Sequence, residues 1–204
     1  MTDDRPSPAL PQTARGRATR GALLDAAESV FGEMSFEQAS ISEITRRAGV
    51  AHGTFYTHFA DKKAIFVELV RDLSHEMRRA QAEAVAGAAD RLEAEERGFA
   101  AFFDFIAEHR ALYRVLREAE FVDADVHRWH YDRLAEGYTR GIREAVDAGE
   151  LPSDLDPRVV AHCLMGIGDF IGLRWVAWGD TVPTEVFDQM IRFVRAGLTG
   201  GEIA

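Results

Sequence analysis

At 204 residues, with 47% hydrophobic and 28% charged side chains, the chain has the composition of a soluble globular protein, with room for one large domain or two small ones. Its single cysteine, Cys163, excludes an internal disulfide and suits a reducing cytoplasm, which is the expected location. The net charge of −10 argues against a uniformly basic nucleic-acid binder, but residues 1–80 carry 11 Lys+Arg and 11 Asp+Glu, so the acidity belongs to residues 81–204.

The opening stretch, MTDDRPSPALPQTARGR, is polar and proline-rich and lacks the apolar core of a secretory signal. It is expected to form a disordered arm over 1–17. From Thr19 to about Met34, Leu23, Ala27, Val30, Phe31 and Met34 recur at helical spacing, with Thr19 as N-cap. Ser40 and Glu43 then make an S-x-x-E capping box, Ile41, Ile44 and Ala48 share one helical face, and Gly49 suits a left-handed stop. A second short helix is predicted over 51–59, with Phe55 and Phe59 inward at i,i+4.

That leaves His52, Gly53, Thr54, Tyr56, Thr57 and His58 on the other faces, a set rich in donors and acceptors and free of carboxylates. Arg46, Arg47, Lys62 and Lys63 bracket the set with positive charge, as flanking phosphates would require. On residue types alone, this is equally a groove-reading pair of helices or an ordinary surface pair.

The run from Ile44 to Lys63, ITRRAGVAHGTFYTHFADKK, resembles the helix-turn-helix of TetR-family (tetracycline-repressor-like) transcriptional regulators. The matching features are A-G-V at the turn, G-T-F-Y on the recognition helix, and H-F-x-x-K after it. The resemblance is specific over about 15–80 and looser beyond. Ala51 departs from the pattern, since the family usually has a serine there as helix cap.

The resemblance implies that Thr19, at the start of the bracing helix, lies near phosphate. It also implies that His52, Gly53, Thr54, Tyr56, Thr57 and His58 face the major groove or its phosphates. Tyr56 and Lys62 are then expected to anchor to the DNA backbone and Thr54 and His58 to approach bases, while Ser40 and Ser42 offer phosphate a helix N-terminus.

Asp61 is expected to cap a further helix with Ile65, Phe66, Leu69, Leu73 and Met77 inward. The alanine- and glutamate-rich segment 81–98 places the domain boundary near residue 80. The domains are read as 18–80, a helix-turn-helix DNA-binding domain with its connecting helix, and 81–204, a ligand-binding and dimerisation domain. Helices are predicted over about 91–108, 109–120, 123–148, 157–178 and 183–198. The fold class is therefore all-α: an N-terminal three-helix DNA-binding domain followed by a C-terminal helical bundle.

The second domain is rich in aromatic residues, which read either as a core or as the lining of an apolar ligand cavity with a few orienting polar groups. The candidate ligand-binding residues are Phe102, Ile106, Tyr113, Arg117 and Phe121, with Trp129, Tyr138, Met165, Asp169 and Arg174 further along the chain. Asp169 lies in an apolar helix where its carboxylate needs a partner, either Arg174 or a donor on the ligand. Gly166, Gly168 and Gly172 in the same helix suggest that another helix approaches closely.

His127 and His130, at i,i+3, have no third ligand of clear geometry, so no metal is expected. No catalytic constellation, phosphate loop or cofactor motif is present in the sequence, so neither catalysis nor a cofactor is expected. Val159 to Trp178 is apolar enough for a membrane span but contains His162, Asp169 and Arg174, so a helix of a soluble protein is expected and no membrane partner.

The helices at 157–178 and 183–198 carry more apolar surface than one small domain needs, which suits a two-fold homodimer. The reading is a homodimeric repressor that binds a palindromic double-stranded operator and is released by a small apolar effector. A segment at 112–122 is similar to one in family members tied to fatty-acid or aromatic-acid catabolism, which makes an acyl thioester a candidate effector. The alternatives are a helical-bundle enzyme acting on an apolar acyl substrate and a DNA-binding protein that needs no effector.

Overall fold

The computed structural model describes residues 13–200, and among these all regular structure is helical. The helices are α1 (Ala14–Glu33), α2 (Ile41–Ala48), α3 (His52–Phe55), α4 (Lys62–Val85), α5 (Arg91–Glu108), α6 (Leu112–Val122), α7 (Ala124–Asp147), α8 (Pro157–Ile171) and α9 (Thr184–Thr199). A π-helical turn, π1 (Gly172–Ala177), extends α8. An N-terminal helix-turn-helix followed by a C-terminal helical region is thus the all-α architecture expected.

The chain divides into two compact units. Among the described residues, the first comprises 13–73 together with Ala111–Arg128, and the second comprises Ser74–Arg110 and 129–200. The sequence predicts one boundary near residue 80, with everything after it in the second domain. The structure instead groups α6 and the start of α7 with the first unit.

Within the first unit, α1 begins earlier than expected. Thr13 is its N-cap, accepting from the Gly16 N–H at 3.0 Å. Thr19 is therefore not the cap but lies inside the helix, where its hydroxyl donates to the Arg15 carbonyl at 3.0 Å. Residues 14–17 of the expected arm are helical, and residues 1–12 lie outside those described.

The core of this unit is apolar: Leu23, Val30, Phe31, Ile44, Phe55 and Phe66 are buried. Phe31, Phe36 and Phe66 form an aromatic cluster with centroids 5.1–5.9 Å apart, worth about 0.5–1.5 kcal/mol per pair beyond area burial. Helix α6 packs its Leu112, Val115, Leu116 and Ala119 inward. It approaches α1 so closely that a Cβ on Gly32 would lie 2.8 Å from the Ala111 Cβ. Glu118 accepts the Phe36 N–H at 2.5 Å, and Lys63 pairs with Asp123 at 2.9 Å.

The second unit is built on Phe99, Phe103 and Ile106 of α5, Ile142 of α7, Leu164 of α8 and Val194 of α9, all buried. Helix α5 starts at Asp90, which accepts the Glu93 N–H at 2.8 Å. Helix α8 starts at Asp156 with Pro157 in its first turn, where a missing N–H costs nothing. Of the glycines expected to admit a neighbour, Gly168 does so, since a Cβ there would meet the Phe99 ring at 3.1 Å. Gly166 faces open space.

Candidate nucleic-acid interface and effector cavity

The turn between α2 and α3 follows from local chemistry. Ser40 caps α2, accepting the Glu43 N–H at 3.2 Å, and Gly49 closes it at φ 68°, the left-handed region that favours glycine. The reciprocal half of the expected capping box does not form. The Glu43 carboxylate turns instead to Arg46 (2.6 and 2.8 Å) and Arg47 (2.8 Å), and these hydrogen bonds bring its pKa down to about 2. Arg47 also reaches back to Ser29 and Glu33 of α1, each at 2.7 Å. It therefore clamps α2 onto α1 and is not held free for phosphate.

Helix α3 spans only four residues, against the nine expected, and the chain continues in turns. Phe55 is fully buried and Phe59 nearly so, which fixes the segment and leaves His52, Gly53, Tyr56 and Thr57 exposed. Tyr56 is 43% exposed, and the His52 ring packs edge-on against it at 5.7 Å. A Cβ on Gly53 would meet nothing, so its missing side chain leaves backbone open to a close partner. Ser40 and Ser42 are exposed at the start of α2.

Other candidates are more committed to the protein itself. Thr54 is half-buried, and the Thr57 hydroxyl donates to the Thr54 carbonyl at 2.7 Å. His58 is half-buried, with Nδ1 buried and lacking a hydrogen-bond partner among the described residues. Burial, followed by the charge of Arg20, lowers its pKa and favours a neutral imidazole.

Lys62, expected as a DNA-backbone anchor, is engaged within the protein. Its ammonium donates to the carbonyls of Phe36 (2.6 Å), Ala39 (2.9 Å) and Glu37 (3.4 Å) and sits 4.5 Å from the Phe36 ring centroid. An ammonium has three N–H groups, so Lys62 is fully occupied in tying the α1–α2 connection to α4.

Ala51 occupies the N-cap position of α3 with extended backbone (φ −65°, ψ 143°) and no side-chain cap bond. In Ala51→Ser, the hydroxyl is expected to take an orphan N–H and raise stability by about 1 kcal/mol. A urea midpoint equal to or below that of the parent chain would contradict this account.

The ligand-binding candidates divide between the two units. Tyr113, Arg117 and Phe121 belong to the first unit, Tyr113 buried and Phe121 86% exposed. Phe102 and Ile106 are in the core of the second unit. In that unit Trp129, Met165 and Asp169 are half-buried, and the exposed Arg174 lies 5.5 Å from the Trp175 ring centroid. Of the candidates, Tyr138 alone lines a cavity of about 630 Å³ in the second unit, to which α4, α5 and α7 contribute.

The cavity's character also differs from the aromatic pocket expected. Arginines (Arg78, Arg79, Arg91, Arg133 and Arg140) alternate with small residues such as Ala82, Ala94, Gly137 and Gly141. Within its lining the buried Glu95 carboxylate accepts from Arg91, and Gln81 donates to the Tyr138 hydroxyl at 3.2 Å. Desolvation raises the pKa of both Glu95 and Tyr138. Sequence reasoning missed these arginines because aromatic content marked the core, whereas small residues at helical spacing marked the space.

Comparison with known proteins supplies the context for the first unit. Residues 23–69 match the family model described as bacterial regulatory proteins, tetR family. The chain is 25% identical over 189 residues to an HTH-type transcriptional regulator, YdgC, of Bacillus subtilis, covering 91% of this chain and 95% of that protein. It is also 25% identical over 186 residues to the HTH-type transcriptional repressor KstR2 of Mycobacterium tuberculosis, covering 88% and 92%. In structure it is similar to the Bacillus subtilis transcriptional regulator FadR in complex with stearoyl-CoA, with a TM-score of 0.76, 22% identity, and 87% and 98% of the two chains covered. At that identity the likeness establishes the fold.

Proposed function

From the premise that this chain belongs to the tetR family of bacterial regulatory proteins, we propose that it is a homodimeric repressor released from a palindromic operator by a small effector. Members of this family are DNA-binding transcriptional regulators and not enzymes. The observation that carries the reading is the outward set His52, Gly53, Tyr56 and Thr57, held over a buried Phe55 and closed by the Gly49 turn. Such a short element reads only a few base pairs, so affinity requires two copies about 34 Å apart in successive major grooves.

The second copy docks on α8 and α9. Val159, Cys163, Gly166 and Phe170 form an exposed stripe along α8, and Phe193 and Gly197 are exposed on α9. The segment Pro157–Ala177 is long and apolar enough to cross a membrane, with a mean hydropathy of 1.4. A partner's identical helices cover such a face as well as lipid does, and the bundle they form is isologous.

The effector occupies the cavity of the second unit. Its volume, about 630 Å³, lies in the usual range of roughly 300–1,000 Å³ for small-molecule sites. An acyl thioester fits this reading, because FadR, a structural relative, is complexed with stearoyl-CoA. An effector that binds one conformation better shifts the population away from the operator-binding form, with a typical coupling of about 1–3 kcal/mol.

Selection of bound sequences from random DNA, repeated with and without acyl thioesters, tests this function. A palindromic motif whose recovery falls with effector is the expected result. Recovery of no motif, or of one indifferent to every effector, counts against it. Tyr56→Ala is expected to weaken binding to all sequences by roughly tenfold, about the worth of one hydrogen bond to a charged group. Thr54→Ala should alter preference at particular positions. Swapped outcomes would reverse the two roles.

A further inference from the structure

The lining of the second unit's cavity carries a charge pattern that defines what it binds. Three of its five arginines have acidic neighbours: Arg91 pairs with the buried Glu95, Arg133 with Glu136 at 2.5 Å, and Arg79 approaches Glu83 at 3.9 Å. Arg78 and Arg140 have no carboxylate within ion-pair distance among the described residues. Arg78 donates only its Nε–H, to the Ser74 carbonyl at 3.1 Å, and its guanidinium lies 5.7 Å from the Trp129 ring centroid. Its terminal nitrogens make no hydrogen bond among the described residues, and the guanidinium lies within cation–π range of the indole.

Besides its arginines, the cavity is lined by small or apolar residues, including Ala82, Val85, Ala94 and Leu134. Gly137 adds space, because a Cβ there would meet nothing. The part of the lining made by the Arg91–Glu95 pair and the Gln81–Tyr138 bond is already satisfied. It therefore offers a ligand little further charge. Of the carboxylates lining the cavity, Glu144 alone lacks an ion pair among the described residues, and it is exposed.

We propose that Arg78 and Arg140 form an anion clamp in this cavity, so that the effector is an amphipathic anion: an apolar body against the small-residue walls, and carboxylate or phosphate oxygens between the two guanidiniums. Guanidinium forks bind such oxygens bidentately, with stronger hydrogen bonds than neutral donors make. The inference rests on the reading of this cavity as the effector site. It adds the chemical class that an apolar pocket would not select.

The test uses the full chain and three probes with the same tail: dodecanoate, dodecanoyl-CoA and dodecan-1-ol. Affinity is measured by calorimetry without DNA, and release is measured separately on a selected operator. At least one anionic probe should bind about tenfold or more tighter than the alcohol. Arg78→Gln and Arg140→Gln should each weaken that anion by roughly 10- to 100-fold and leave the alcohol unchanged. Arg140 is exposed and makes no contact the fold needs, so its variant keeps the test valid even if Arg78→Gln folds poorly.

Preference for dodecanoate identifies a carboxylate as the anchored group, and preference for dodecanoyl-CoA identifies the phosphates. Equal binding of the alcohol, indifference to both substitutions, or no binding of either anion would overturn the clamp. Arginine-dependent binding that leaves operator affinity untouched would uphold the clamp and overturn the cavity's regulatory role.

Discussion

Phe55→Ala is expected to destabilise the N-terminal unit by about 3–5 kcal/mol and to abolish sequence-specific DNA binding. Isolated helices shorter than about 12–15 residues are marginal in water, and α3 has only four. What holds it in place is its single buried side chain, Phe55, fully enclosed and in ring contact with Phe59 at 5.6 Å and Tyr56 at 5.4 Å. Removing that ring leaves a cavity beneath the segment that carries His52, Gly53 and Tyr56, so stability and recognition fall together. Urea unfolding followed by circular dichroism, alongside operator titration, checks both. Phe55→Leu refills much of the volume and should recover most of each loss. An alanine variant that melts and binds like the parent chain would show that something other than Phe55 positions the helix.

The parts of this unit legible in the sequence are those decided by neighbours a few residues apart. Ser40, Gly49 and Asp61 were expected as helix boundaries and act as such, because a cap needs only its own turn; Asp61, for example, accepts the Ala64 N–H at 2.7 Å. The length of α3 was overestimated for a local reason that apolar spacing does not reveal. Thr57 donates its hydroxyl and its N–H to the Thr54 carbonyl, a competing pattern that draws the backbone out of the α-helix.

The early start of α1 has a similar cause. Thr13 offers a cap six residues before Thr19, and the Ala/Arg-rich stretch between them sustains a helix.

Long-range choices were not legible. Apolar spacing in α6 shows that Leu112, Val115, Leu116 and Ala119 are buried, but not against which partner. That depends on Gly32 admitting Ala111. Lys62 looked like a phosphate contact because a lysine beside a recognition helix is cationic. Only the path of the chain brings the carbonyls of Phe36 and Ala39 within reach of its ammonium. The same holds for the cavity, whose arginines come from helices separated by more than 50 residues in sequence, as Arg78 and Arg140 show.

The second large effect is expected at the α8–α9 face. Phe170→Glu should convert the dimer to monomer and lower affinity for a two-half-site operator by roughly 30- to 1,000-fold, the range for losing a central aromatic anchor worth about 2–4 kcal/mol. Phe170 is 72% exposed within one protomer, so a polar replacement removes little that the protomer's own core requires. It shares an exposed stripe with Val159, Cys163 and Gly166, and in the proposed isologous dimer it would pack against its own copy. There a glutamate would meet a second glutamate on a desolvated surface, adding repulsion to lost packing.

Two measurements separate this from simple misfolding: sedimentation equilibrium for mass, and thermal unfolding for the integrity of the protomer. Loss of dimer mass with an intact fold, together with weakened operator binding but little change at a single half-site, is the expected pattern. A variant that remains dimeric would remove α8 from the interface and require the two recognition helices to be spaced by some other surface.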